Sequence, residues 1–474
     1  MTDKFEAFTA YIEAHKDLYI ERLAEAVAIP SVSADPERRD DVFRMMDHAK
    51  KMVESLGGDA ELIKNGMETL TDGGQIPLPP VLFASFGKDK TKKTLLVYGH
   101  LDVQPASLSD GWASEPFKLV ERDGKLFGRG STDDKGPVLG WLHCVEAMNA
   151  LNIELPVNIK CVFEGHEESG SNGLEDILKS HKDTFLKDVD FCCISDNYWF
   201  GSKPAICYGL RGNSYFGIEI RGPKQDLHSG THGSSLNEPM TDLMYMMNLL
   251  IDVHGKILIE GIYRDVAELT EAEAKLYDNI DFDVKKYAEE LGVEKLACMD
   301  KNQLVMNRMR NPCLSIHGIE GAFAEVGSKT VIPSKVIGKF SLRTVPNMTI
   351  KETDRCVTDY LNKIWAARGS SNKMKIIPFK AGRSWVGDIN APNFKAAERA
   401  IKRVHKVPHV SFEREGASIP ITMTLEELTG KSTLLLPMGS SDDMAHSQNE
   451  KLNIFNYIEG TKVMGAYLME LGQL

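Results

Sequence analysis

Apolar positions along this chain alternate between short unbroken runs and longer stretches of helical spacing. Runs at Thr94–Tyr98, Val157–Phe163 and Val189–Ser195 have the length and composition of buried strands. Between the first two lies Gly136–Ala150, a predicted helix that starts straight after Asp133-Asp134-Lys135. Strands separated by helices predict βαβ units and an α/β fold, with a mostly parallel sheet flanked by helices. At the N-terminus, Phe5, Phe8, Ile12, Leu18, Ile20 and Leu23 fit helical spacing approximately and predict an opening helix over about Lys4–Ala28. Ile76-Pro-Leu-Pro-Pro80 predicts a loop.

The pattern changes near Tyr208-Gly-Leu-Arg-Gly212. Ser214–Ile220 alternates as a strand. Residues 235–252 read as a Met-rich helix and 265–309 as charged and helical. Cys313–Gly318 and Lys335–Val345 read as strands again. The motif-bearing pattern resumes near Trp385, with a helix over Asn393–Val404 and a strand at Ser432–Pro437. These shifts predict a discontinuous catalytic domain, 1–211 and 383–474, interrupted by an α+β domain over 212–382.

A chain of 474 residues, 42% of them hydrophobic, supports two or three domains. Its net charge of −12 argues against nucleic acid as a partner. The N-terminus is charged and lacks an apolar signal core, and no window approaches the roughly 20 apolar residues of a membrane span. The C-terminal LMELGQL carries no lipidation signal. A cytoplasmic protein with no membrane association is expected. The eight cysteines include no CxxC pair, so buried reduced thiols are expected rather than disulfides or a thiolate-bound metal.

Six short motifs, nearly all following apolar runs, carry the candidate chemistry: Tyr98–Asp102, Gly128–Gly136, Glu164–Gly170, Ile194–Asn197, Arg414–Ser418 and Asp442–His446. Their histidines and carboxylates suit two divalent metals sharing a bridging carboxylate, hence a metal-dependent hydrolase. In His100-Leu-Asp102 an extended chain turns both side chains the same way, so His100 reads as a ligand and Asp102 as its orienting partner. Asp133 and Asp134 repel unless neutralised. Either a metal does this, with Asp133 bridging, or Lys135 and Arg129 do. Of Glu167 and Glu168, one could bind metal while the other takes a proton from water; His166 beside them could be a ligand or a decoy. Asp196 and His446 follow apolar runs, where ligands gather at the carboxyl ends of strands. Arg343 could hold a carboxylate through a bidentate pair, the Arg414–Ser418 turn could present backbone N–H groups, and His228 could polarise a carbonyl oxygen.

The stretches YGHLDVQPA, DGKLFGRGSTDDKGPV, EESGS, ISDNYW, YGLRG, DLHSG, GIEGAF, KTVIPSKV, REGASIP and AHSQNEKLN cover essentially the whole chain. Through them it resembles the metallopeptidase family that includes carnosinases, cytosolic non-specific dipeptidases, aminoacylases and glutamate carboxypeptidases. The resemblance implies two ions per subunit, Mn2+ or Zn2+. One would be held by His100, Asp133 and Asp196, the other by Asp133, Glu168 and His446, with Asp133 bridging. It implies Glu167 as general base and then acid, and Asp102 as the residue that orients His100. The inserted domain would act as lid and dimer interface, with His228 and Thr330 reaching into the neighbouring subunit's site. Arg343, Ser418 and His446 would complete the substrate-binding set. A non-proline cis peptide at Asp133-Asp134 is also implied. The implied activity is hydrolysis of dipeptides with broad specificity; an N-acyl amino acid deacylase or carboxypeptidase is the alternative within the family, and a non-catalytic dimeric binding protein the alternative outside it. One departure stands out. Relatives carry a Gly-His-Gly-Gly segment before the tryptophan, where this chain has Phe379-Lys-Ala-Gly-Arg-Ser-Trp385.

Overall fold

The computed structural model describes every residue except Met1, Thr71, Asp72 and Ser202, and every side chain but those of Thr2 and Lys380 as well. A nine-stranded sheet forms its centre. Four neighbouring strands, Asn158–Glu164, Thr94–His100, Phe191–Ile194 and Thr433–Leu435, are parallel. Antiparallel strands extend this centre, Val81–Phe86 on one side and Ala205–Leu210 on the other. The strand Thr94–His100 is buried at every position, as a strand covered on both faces must be.

The helix Lys135–Ala150 crosses between the first two parallel strands and is buried on nearly all sides. It packs between the sheet and the C-terminal helix Ile454–Leu471, with the N-terminal helices over its other flank. That position explains why its sequence, KGPVLGWLHCVEAMNA, has no polar face. The predicted opening helix is two helices, Thr2–Ala14 and Lys16–Val27. They part at His15, whose ring stacks on Tyr11 at 3.8 Å and whose Nδ1 lies 2.8 Å from the Tyr11 carbonyl.

The strand Ala205–Leu210 belongs to the large sheet, and the next strand, Gly212–Arg221, opens a separate four-stranded antiparallel sheet. That second sheet closes with Lys373–Gly382, and Trp385–Val386 returns to the large sheet. It has its own core, in which Phe216, Ile218, Phe340 and Leu342 meet Leu243 and Met247 of the helix Pro239–Asn248. The predicted helical stretch 265–309 resolves into three short helices, Glu271–Asp278, Val284–Glu290 and Lys301–Met309. Thr270, Asp283 and Asp300 cap their N-termini. The first and third pack on Ser411–Glu415, a strand of the large sheet, and share a small core with Phe200. All eight cysteines are unpaired, six of them buried. Among the described residues no helix is long and apolar enough to cross a membrane.

Candidate metal centre and cleft

The carboxyl ends of the central parallel strands bring the predicted ligands together. His100 ends one strand, Asp196 follows another by two residues, and Glu167-Glu168 follow a third by three. Asp133 arrives from the turn before the buried helix. That turn closes only over glycine: a Cβ at Gly136 would lie 2.2 Å from the Ser131 carbonyl oxygen. The Asp133-Asp134 peptide is cis. His446 comes from a loop in which Met444, His446 and Asn449 all have positive φ, a placement that non-glycine residues rarely adopt.

Two triads result, His100–Asp133–Asp196 and Asp133–Glu168–His446, and within each the donor atoms lie within 4.8 Å of one another. Asp133 serves both. Its Oδ1 lies 3.0 Å from His100 Nε2 and its Oδ2 lies 3.2 Å from His446 Nε2. His446 Nε2 also sits 3.0 Å from Glu168 Oε2. A carboxylate with one oxygen toward each donor set is what a bridging ligand requires. His100 Nδ1 lies 3.0 Å from the Asp102 carbonyl oxygen. With its proton there, Nε2 is left as the lone-pair donor.

The cluster is short of permanent positive charge. Among the described residues, only His100 and His446 form ion pairs with Asp133, Asp196 and Glu168, and no lysine or arginine does. The reading in which Lys135 and Arg129 neutralise Asp133 and Asp134 is therefore corrected. Lys135 Nζ turns away to the carbonyls of Ala26 (2.9 Å) and Ile29 (2.7 Å), and Arg129 pairs with Glu450. Burial pushes the Asp134 and Glu167 carboxyls well above the usual range, and the Asp196 carboxylate pushes both further. Burial opposes a charge on His100, yet Asp196, Asp102 and Asp133 outweigh it and raise that imidazole. Asp133 is held low despite burial, by the imidazoles of His100 and His446. A carboxylate cluster of this kind is ionised only beside positive charge, and nitrogen and oxygen donors without sulfur suit zinc or manganese.

Asp102 does more than stand beside His100. Its carboxylate is 3.5 Å from His100 Nδ1, but it accepts the backbone N–H of Glu167 at 3.1 Å and of Glu168 at 3.0 Å. It therefore fixes the turn that carries both glutamates. His166 points elsewhere: its Nε2 lies 3.4 Å from Glu68, which also binds Arg39, so it is no ligand here.

A cleft of about 670 Å³ opens beside Glu167 and Glu168, and Arg343, Ser418, Asn213 and Arg383 also line it. Arg343 donates to Ser418 Oγ at 3.1 Å, and Ser418 donates to the Arg211 carbonyl at 2.6 Å. Among the described residues no carboxylate pairs with Arg343, which leaves a half-buried guanidinium facing the cleft. In the Arg414–Ser418 turn, expected to present backbone N–H groups, two of these groups are taken. Glu415 Oε1 occupies those of Gly416 (2.8 Å) and Ala417 (3.4 Å). His228 and Thr330 are adjacent and exposed on a small ribbon, where Ser229 N donates to Thr330 O at 3.1 Å, but neither lines the cleft. In the departing segment Phe379 is exposed against Tyr215, the Lys380 side chain lies outside the described residues, and Ala381, Gly382 and Arg383 line the cleft.

The model of the peptidase family M20/M25/M40 matches residues 96–470. Human Beta-Ala-His dipeptidase is 46% identical over 98% of this chain and 92% of its own length. The Cys-Gly metallodipeptidase dug1 of Schizosaccharomyces pombe is 45% identical over 98% and 97%. The solved structure of the di-peptidase Dug1p from Saccharomyces cerevisiae superposes with a TM-score of 0.92 at 44% identity, covering 100% of both chains. The chain belongs to the M20/M25/M40 peptidase family.

Proposed function

We propose that this protein is a metal-dependent dipeptidase of broad specificity, with two divalent ions per subunit, Mn2+ or Zn2+. The observation that carries this reading is the cleft that joins Glu167 and Glu168, beside the two ligand triads, to the unpaired Arg343. One end suits a scissile carbonyl and the other a substrate's terminal carboxylate. His100, Asp133 and Asp196 would hold one ion, and Asp133, Glu168 and His446 the other. Bound there, the ions supply Lewis-acid polarisation of the carbonyl and acidify water. Glu167, which lines the cleft beside Glu168, takes the proton of the attacking water and passes it to the leaving amine. Asp102 keeps Glu167 and Glu168 in register through their N–H groups. Arg343 and Ser418 bind the terminal carboxylate, and short substrates are thereby preferred. The similar proteins are named for two different dipeptides, Beta-Ala-His and Cys-Gly, and dipeptide length is the feature those names share.

The segment 212–382 is read as lid and dimerisation domain, with His228 stabilising the oxyanion and Thr330 assisting it in the neighbouring subunit's site. Their exposure together on one ribbon supports action in trans. The helices within 271–309 stay with the large sheet, so the moving part is smaller than the whole insert. Eight unpaired thiols support residence in a reducing compartment, the cytoplasm. Replacing Glu167 by Gln tests the mechanism. Turnover of Ala-Gly should fall by at least about a hundredfold, the lower end of general-base contributions, with metal content retained. Wild-type turnover in that variant overturns it.

A further inference from the structure

Asp133 and His446 are more than 300 residues apart in sequence, yet one buried group touches the loops of both. Glu450 is fully buried, and its carboxylate accepts from Gly130 N (3.0 and 3.1 Å), Thr132 N (3.1 Å) and Asp133 N (3.2 Å). Its Oε2 also receives Arg129 Nη1 at 2.7 Å, and its own carbonyl receives Gly128 N at 3.0 Å. The N–H groups of Gly130, Thr132 and Asp133 thus converge on one side chain. Arg129, also buried, sends its other arm, Nη2, to the Ser447 carbonyl at 3.2 Å, one residue past His446. The loop that carries His446 needs such anchoring, because three of its residues hold positive φ and the His446 side chain is itself more than half exposed.

We propose that Glu450, acting with Arg129, is a positioning residue that holds Asp133 and His446 in register, and that it governs the Asp133–Glu168–His446 site more than the His100–Asp133–Asp196 site. The asymmetry follows from anchoring. His100 and Asp196 stand at or just past strand ends of the large sheet and do not depend on Glu450. Of the other triad, two members of three do. The inference rests on the two-ion reading above.

The test is metal binding rather than turnover. Full-length wild-type, Glu450→Gln and His446→Ala chains are stripped with chelator and titrated with Mn2+ against a chromophoric competitor. His446→Ala identifies which binding step belongs to which triad. Two ions per wild-type subunit are expected. In Glu450→Gln the step lost in His446→Ala should weaken by about 10–100-fold, the usual effect of removing a group behind a ligand, while the other shifts by less than about threefold. A structural role alone would weaken both steps together, and that outcome, or no change in either, overturns the proposal. Fewer than two ions in the wild type would instead remove the reading it rests on, and the proposal with it. If Glu450→Gln lacks the wild-type circular dichroism, Arg129→Lys decides by the same criterion, since it keeps the buried charge and loses the two-armed reach. Loss of fold in both variants also overturns the proposal, because general stability would then account for the pair.

Discussion

Replacing Asp102 by Asn separates two jobs that the side chain could perform. Asp102 is fully buried, and its two carboxylate oxygens accept the N–H groups of Glu167 and Glu168 at 3.1 and 3.0 Å. His100 Nδ1 is held chiefly by the Asp102 backbone carbonyl at 3.0 Å, which the substitution leaves in place. Asparagine keeps one acceptor and turns an NH2 group toward a backbone donor. One hydrogen bond to a charged acceptor is lost, worth about 1.5–3 kcal/mol. If that loss falls on the position of Glu167, kcat drops by about 10–150-fold, at 1.36 kcal/mol per decade. The assay is steady-state cleavage of Ala-Gly at saturating metal, with metal content measured on the same sample. The expected result is reduced kcat with both ions retained. A kcat within about threefold of wild type, or loss of metal at unchanged kcat per ion, would refute the reasoning and return Asp102 to the role of holding His100 alone.

Burial raises the Glu413 carboxyl from the ordinary 4.5 to about 8. The folded chain then keeps a proton that the unfolded chain releases, so the native state loses stability as pH climbs from about 4.5 to about 8. Glu413→Gln retains the acceptor for Phe200 N–H (2.8 Å) and removes this dependence. Its Tm should gain on wild type by a few degrees between about pH 5 and about pH 8.5, and a constant difference contradicts the argument. For the shared site, a His228→Ala chain mixed with a Glu167→Ala chain should regain partial activity in verified mixed dimers; no recovery counts against action in trans.

Much of this architecture is written locally. Buried parallel strands need continuous apolar runs, and those at Thr94, Val157 and Val189 were readable, with the ligands at their ends. The strand Val81–Phe86 was hidden because Pro79-Pro80 marks a loop immediately before it. The breaks within 265–309 were signalled by Thr270, Asp283 and Asp300, cap residues that a charged stretch camouflages. Asp102 and Glu450 illustrate a deeper limit. Asp102 was legible as a partner of His100, but its bonds to Glu167 and Glu168, like most of those at Glu450, are to backbone N–H, which every residue but proline carries and no motif marks. Lys135 beside two aspartates suggests a local ion pair, whereas tertiary packing gives it the carbonyls of Ala26 and Ile29 near the end of a distant helix.

Amine release from two substrates, Ala-Gly and N-acetyl-Ala-Gly, tests the central claim most directly, using chelator-stripped protein with and without added Mn2+ or Zn2+. The account predicts no cleavage without metal, and metal-restored cleavage of the free dipeptide only. Preference for the acetylated substrate would make the protein a deacylase or carboxypeptidase of the same family, and silence on both substrates with metal bound would contradict a dipeptidase outright.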